Sequence, residues 1–317
     1  MVRALKLLAL CLLAACAGRG KLAVDPLAPE RALFAQREFA RCAAALTPER
    51  LAGLPRRARA DGRALLARSL DSDGRFDDAL AAYQYGATLH PKNLELVSGL
   101  AWVLHRLGLD DRARPLFERV LAIHPNNASG NLGLAEIQRS QGDLASAEAH
   151  YETALTEAGW RENPTVQRDY AELLADRQRF DAAARAVEKS LSLARTPEAY
   201  ITAARIERRR LRVGDAYARL GEALALDPGR EEAHQQRALW LLEDSRLPEA
   251  AAEAEVLLAK APGAALARWV RGVARARQGD LAGARADLAA AAASRRENPF
   301  VASAALALLK ELHDAAP

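Results

Sequence analysis

The sequence predicts an all-α fold, and three features carry that prediction. Half of the 317 residues are hydrophobic but only 5% are aromatic, so the apolar content is mostly Ala and Leu. With 27% charged residues added, this is a helix-forming mixture, because Ala, Leu and straight-chain charged side chains lose little entropy in a helix. β-Branched residues are sparse and never alternate along a run, which leaves no strand candidate. Third, a similar phrase ending in proline recurs: Pro91 and Pro125 are 34 residues apart, as are Pro228 and Pro262. A fixed period of this size is the mark of stacked helical hairpins. The formal charge of +4 is small for the length, and Arg3 and Lys6 contribute two of those charges. Charge therefore gives no reason to expect nucleic acid as a partner.

The first element in chain order is an N-terminal targeting segment. Arg3 and Lys6 form a basic flank, Leu7 to Leu13 form an apolar run too short to span a bilayer, and Leu13-Ala14-Ala15-Cys16 follows. This arrangement resembles the lipobox of bacterial lipoproteins, in which the cysteine is alkylated by diacylglycerol and becomes residue 1 of the mature chain. The resemblance implies that residues 1–15 are a signal peptide and that Cys16 carries the acyl group. Anchoring through several chains is durable, since each buried methylene contributes about 0.8 kcal/mol. Ala17 stands where an Asp retains such lipoproteins at the inner membrane. The expectation is thus an outer-membrane anchor with the body in the periplasm. Residues 16–26 would be a flexible tether with a reach of about 17 Å. Cys42 is left as a lone thiol, and its setting, Phe39-Ala40-Arg41-Cys42-Ala43-Ala44, suits a small buried side chain.

The repeats come next. Turn phrases recur at Gly74-Arg75-Phe76-Asp77-Asp78-Ala79, Gly108-Leu109-Asp110-Asp111-Arg112-Ala113, Gly142-Asp143-Leu144-Ala145-Ser146-Ala147 and Gly279-Asp280-Leu281-Ala282-Gly283-Ala284. Glycine suits the left-handed end of one helix, and the Asp or Ser that follows can cap the next. Proline stops the second helix because it cannot continue the hydrogen-bond ladder. The pattern resembles the tetratricopeptide repeat. Starting units at 60, 94, 128, about 164, 197, 231 and 265 puts Ala79, Ala113, Ala147, Ala183, Ala216, Ala250 and Ala284 at repeat position 20 without exception. Position 8 holds Ala67, Ala101, Ala135, Ala171, Ala204, Ala238 and Gly272, and position 24 holds Tyr83, Phe117, Tyr151, Val187, Leu220, Ala254 and Leu288. An insertion around Gly159-Trp160-Arg161-Glu162-Asn163 separates the third and fourth units.

The resemblance implies a right-handed α-solenoid of about seven hairpins over residues 60–296. Residues 27–59 would form an N-terminal helical cap or degenerate repeat. Residues 297–317 would form a capping helix and tail, with Asn298-Pro299 as its start.

No catalytic constellation stands out: there is no H-E-x-x-H, paired-Cys motif, glycine-rich phosphate loop or G-x-S-x-G. No metal or cofactor is expected, and the chain reads as a non-enzyme. His90 and His124 precede repeat-ending prolines, where exposure at a helix C-terminus is expected. The run from Arg205 to Arg212 reads as a solvated or anion-facing surface. In tetratricopeptide repeats the concave face is lined by positions 2, 5, 9, 12 and 13 of each first helix. Carried over, these put Trp102, His105, Arg106, Glu136, Arg139, Arg168, Glu172, Arg205, Arg208 and Trp269 in a partner-binding groove. Trp and Arg dominate interface hot spots, and Trp102 with Arg106 is the expected affinity-bearing pair, with little contact to the solenoid's own core. The resemblance to lipid-anchored repeat proteins implies a scaffold for assembling a cell-envelope secretion or pilus machine, binding envelope proteins or peptides. An adaptor for peptidoglycan hydrolases is the alternative, and an enzyme within the solenoid is the rival of a different class.

Overall fold

A computed structural model describes residues 25–314, so Cys16 and the segment before it lie outside the described residues. The described chain is helical without strands and divides into two compact units, one ending at Leu155 and the other beginning at Thr156. The division falls at the edge of the insertion that interrupts the repeat period.

The first unit opens with three short helices, α1 (Ala28–Ala35), α2 (Phe39–Ala45) and α3 (Pro48–Gly53), and one 3-10 turn at Arg56–Ala58. Three hairpins follow: α4 (Arg59–Ser72) with α5 (Phe76–Leu89), α6 (Leu94–Arg106) with α7 (Asp110–Ile123), and α8 (Ala128–Ser140) with α9 (Leu144–Ala154). The second unit starts with a single turn, α10 (Ala158–Arg161). It continues as α11 (Pro164–Asp176) with α12 (Phe180–Leu193), α13 (Pro197–Arg209) with α14 (Val213–Leu226), α15 (Glu231–Glu243) with α16 (Leu247–Lys260), and α17 (Ala265–Gln278) with α18 (Leu281–Ala292). A final helix, α19 (Pro299–Asp314), packs on α17 and α18.

The hairpins close on the residues that repeat. All seven alanines at position 20 are fully buried, and so are the small residues at position 8 and the larger ones at position 24. Small side chains at the crossing let the two helices approach, and the position-24 side chain then fills the space between hairpins. In the first unit the fit is reciprocal. A methyl group added at Gly99 would collide with the Tyr83 ring of the preceding hairpin, and one at Gly133 with the Phe117 ring. The aromatic knob and the helical glycine are thus two halves of one contact.

Every first helix ends in a left-handed residue. Gly74, Gly108, Gly142 and Gly279 fill this place in four hairpins, whereas Gln178, Leu211 and Ser245 hold φ near +60° in the other three. L-residues pay about 1–2 kcal/mol for that conformation. The expected caps behave differently at the two ends. Asn93, Asn127, Asn163 and Thr196 cap first helices through their side chains. Asn127, which also fits a glycosylation sequon, is committed to this role. Only Asp143 and Asp280 cap second helices. Asp77, Asp78, Asp110 and Asp111 lie inside the first turn instead, where a negative charge favours the helix dipole.

Buried polar groups stitch three of the hairpins to the turn before them. Asn131 donates to the Pro125 carbonyl at 3.0 Å, Gln167 to Arg161 at 2.9 Å, and His234 Nε2 to Pro228 at 3.0 Å. The same repeat position and the same six-residue step serve all three. Cys42 is buried as expected, its thiol donating to the Glu30 carbonyl at 3.1 Å.

Candidate protein-binding face

Neighbouring first helices pack on one another in the first unit and in two of the three steps of the second, α11 on α13 and α15 on α17, whereas consecutive second helices do so far less. The first helices therefore form the inner layer of each unit, with the step from α13 to α15 bridged by side chains, and the residues expected to bind partners lie on it.

In the first unit that layer is cross-linked by its own side chains. Arg68 reaches Glu95 at 2.9 Å, and Trp102 Nε1 donates to Ser129 Oγ at 3.0 Å. Both links run from position 9 of one hairpin to position 2 of the next, 27 residues on. Arg106 pairs with Asp71 and stacks over the Phe76 ring at 5.1 Å. His105 meets Asp110 at 2.6 Å, and Glu136 accepts the Tyr151 hydroxyl. Arg139 is half-buried on the same helix as Glu136 and is likewise engaged.

Trp102 corrects the sequence expectation. Its ring lies edge-on to the fully buried Phe117, centroids 5.3 Å apart, and packs against the cluster of Ala101, Leu104, Ala113, Leu134 and Ile137. The indole bridges two hairpins and cannot be removed without disturbing the core. Position 9 points at the next hairpin, and a ring as large as indole spans that gap.

In the second unit Arg205 to Glu232 keeps the same 27-residue step, and the other contacts differ. Thr202 donates to Glu172 at 2.9 Å, and Arg205 reaches Glu232 at 2.9 Å and Gln236 at 3.1 Å. Arg208 grips Asp244 with two bonds of 2.6 and 2.7 Å, and its guanidinium lies over Trp240 at 5.4 Å. Asp244 also accepts the Tyr217 hydroxyl at 2.8 Å. The Arg208 bonds hold the Asp244 carboxyl below its usual range, while burial and the bond to Asp244 push Tyr217 up to about 12. Arg168 is bonded to its neighbour Asp169 at 2.6 Å. Trp269 packs half-buried against the last core cluster, with its indole nitrogen buried and unbonded. It too is more core than free anchor.

The carboxylates Asp71, Glu95, Glu232 and Asp244 complete this face and escaped the sequence reading. A step of 27 residues from position 9 to an acid or hydroxyl at position 2 was the signal for two of those pairings. The basic run resolves the same way: Arg205, Arg208, Arg209, Arg210 and Arg212 each face a carboxylate. His90 departs from expectation, being half-buried with Nε2 3.3 Å from Arg63. Desolvation, then the Arg63 charge, lowers its proton affinity. His124 is exposed as expected.

A cleft of about 820 Å³ lies between α12 and α14 in the second unit, lined by Asp181, Arg185, Glu188, Glu207, Arg210 and Arg219 among others. Its charges mostly neutralise one another through Arg210–Asp181, Arg210–Glu207 and Arg219–Glu188. Among the described residues no group of three or more His, Cys, Asp or Glu could hold a metal ion. No described helix is long and apolar enough to cross a membrane.

Two sequence models of the tetratricopeptide repeat match this chain, one over residues 64–128 and 236–302 and the other over 111–158. No curated protein matches the sequence. Among solved structures, a tetratricopeptide-repeat protein from Parabacteroides merdae is similar over 80% of this chain and 98% of its own, with 17% identity and a TM-score of 0.59. PilF of Pseudomonas aeruginosa is similar over 68% of this chain and 96% of its own (15% identity, TM-score 0.55). PilW, described as a type IV pilus biogenesis factor, is similar over 78% and 98% (16% identity, TM-score 0.51). At these identities the likeness is one of fold.

Proposed function

We propose, for a chain that belongs to the tetratricopeptide-repeat family, the role of a lipid-anchored, non-catalytic scaffold that holds partner proteins on its first-helix faces during assembly of a cell-envelope secretion or pilus machine. One observation carries the binding part of this reading. Two inner-layer ion pairs are formed yet remain open to water: the Arg106 and Arg205 side chains keep 45% and 43% of their exposure. Such pairs contribute little to stability, about 0–1 kcal/mol each. A partner carboxylate can therefore replace Asp71 or Glu232 at small cost and gain a bidentate guanidinium contact. Arg106 already sits over the Phe76 ring and pairs with Asp71, so part of its ordering entropy is spent before a partner arrives.

The envelope address rests on the sequence from Arg3 to Cys16, and the likeness in fold to PilF and PilW makes pilus assembly the leading machine. The test has two arms. Cys16→Ser should abolish acyl labelling and release the protein from the outer-membrane fraction; normal labelling and fractionation of that variant would remove the anchor. Partners captured by the wild-type chain from an envelope extract should be lost to Arg106→Ala/Arg205→Ala with helical content unchanged. Full capture by that variant would place binding elsewhere. Capture of murein hydrolases in place of secretin or pilin components would favour the hydrolase adaptor.

A further inference from the structure

Positive charge is concentrated in one stretch near the N-terminal end of the described chain. Between residues 50 and 70 the chain has six arginines and one carboxylate, Asp61. The outer two are neutralised, Arg50 by Glu30 at 2.6 Å and Arg68 by Glu95 at 2.9 Å. The four between them have no acid. Arg59 donates to the Leu54 carbonyl at 3.1 Å, and Arg63 to the Arg59 carbonyl and toward His90. Arg56 and Arg57 are exposed and form no ion pair among the described residues. Carbonyl oxygens satisfy donors but leave the net charge in place.

The surroundings extend the same sign. Arg63 stands over the exposed Tyr85 ring at 5.7 Å, and its Nε is buried without a partner. Next to His90, Arg119 is bonded to the Pro91 carbonyl, and Lys92 follows, exposed.

The face also lies where the chain enters the fold. Leu27 is buried in one cluster with Leu54, Ala58 and Leu65, beneath the turn that carries Arg56 and Arg57. The segment leading back to Cys16 adds Arg19 and Lys21.

We propose that Arg56, Arg57, Arg59 and Arg63, with Lys92, form a docking surface for anionic phospholipid headgroups of the membrane that holds the N-terminus. The proposal rests on the acylation reading for its geometry, since an anchored Cys16 keeps this face within reach of headgroups. Phosphate oxygens accept guanidinium donors that no carboxylate engages here, and Tyr85 suits the interfacial layer. The surface would set the orientation of the anchored protein, holding its first unit against the bilayer.

The patch can be measured without the acyl group. The chain from residue 16 onward carrying Cys16→Ser, which keeps every described residue, is sedimented with phosphatidylcholine vesicles with and without phosphatidylglycerol. Partition should require the anionic lipid and fall with added salt. A basic residue near an anionic surface contributes roughly fivefold to partition, so Arg56→Gln/Arg57→Gln should weaken it about thirty-fold. The charge-matched control Arg295→Gln/Arg296→Gln, at exposed arginines of the second unit, should leave it unchanged. Circular dichroism checks that both variants are folded. Equal partition onto neutral and anionic vesicles, or an equal loss in the control, would overturn the proposal. So would capture by polyglutamate without vesicle binding, which would reassign the patch to an acidic protein. Failure of acyl labelling at Cys16 is a separate result, read on intact cells.

Discussion

Glycine-to-alanine substitution in a helix should have opposite signs at two places in this protein. An interior helical glycine costs about 0.8–1.0 kcal/mol relative to alanine. At Gly221, inside α14, an added methyl meets nothing within 4 Å, so Gly221→Ala should stabilise by about 0.5–1 kcal/mol. At Gly133, inside α8, the same methyl would lie closer than 3.0 Å to three atoms of the Phe117 ring, where carbon atoms prefer about 3.5–4.0 Å. Phe117 has no room to yield, being fully buried and edge-on to Trp102. Overpacking of this kind costs about 1–3 kcal/mol, which outweighs the propensity gain. With three ring atoms in the way, Gly133→Ala should fall at the costly end and lose up to about 2 kcal/mol net. Stability in repeat arrays is a sum of neighbour interfaces, so the loss should be confined to the contact between the second and third hairpins. Urea unfolding gives the total, and amide exchange in α7 and α8 gives its location. Adding Phe117→Leu removes the obstacle, so the double variant should be more stable than the sum of the single changes. A Gly133→Ala protein as stable as wild type would refute the interlock between position 24 and the following glycine.

Other perturbations test the remaining contacts. Ala113→Trp, at the fully buried crossing of α6 and α7, should cost at least about 1–3 kcal/mol, seen as a lowered melting midpoint; an unchanged midpoint would mean the repeat register is wrong. Leu211→Gly should stabilise by about 0.5–1 kcal/mol, because Leu211 is 86% exposed at φ +63° and loses only left-handed strain. Trp102→Ala should destabilise by about 2–3 kcal/mol in denaturant unfolding, since it empties a half-buried bridge between two hairpins; a folding-neutral result would restore it as a free anchor. The Asp244 carboxyl, held below its ordinary range, adds stability above the unfolded carboxylate value that is lost as pH falls through its folded value. Tyr217, raised to about 12, adds stability below pH 10 that fades as pH rises from about 10 toward 12. Asp244→Asn should flatten the acid limb in thermal melts against pH.

What the sequence determined by itself is the local and periodic part of this protein. Helix content follows from composition. The hairpin crossings follow from one alanine recurring at the same place seven times, because only a small side chain permits that approach, and all seven are buried. The left-handed turn was legible at four glycines, but Gln178, Leu211 and Ser245 occupy the same conformation without the residue that signals it. There the packing of the two helices imposes a turn that the local chain resists. The inner face was legible as a set of positions and not as a set of interactions. Trp102 and Arg208 read as open anchors because sequence shows a side chain's own helix and not the neighbour it meets. Tertiary structure placed Phe117 and Ser129 against one, and Asp244 and Trp240 against the other. The same holds for the arginines between residues 56 and 63, whose charge was visible in the sequence. Only the fold shows that they form no ion pair, whereas Arg50 and Arg68 on either side of them are paired with Glu30 and Glu95 from other helices.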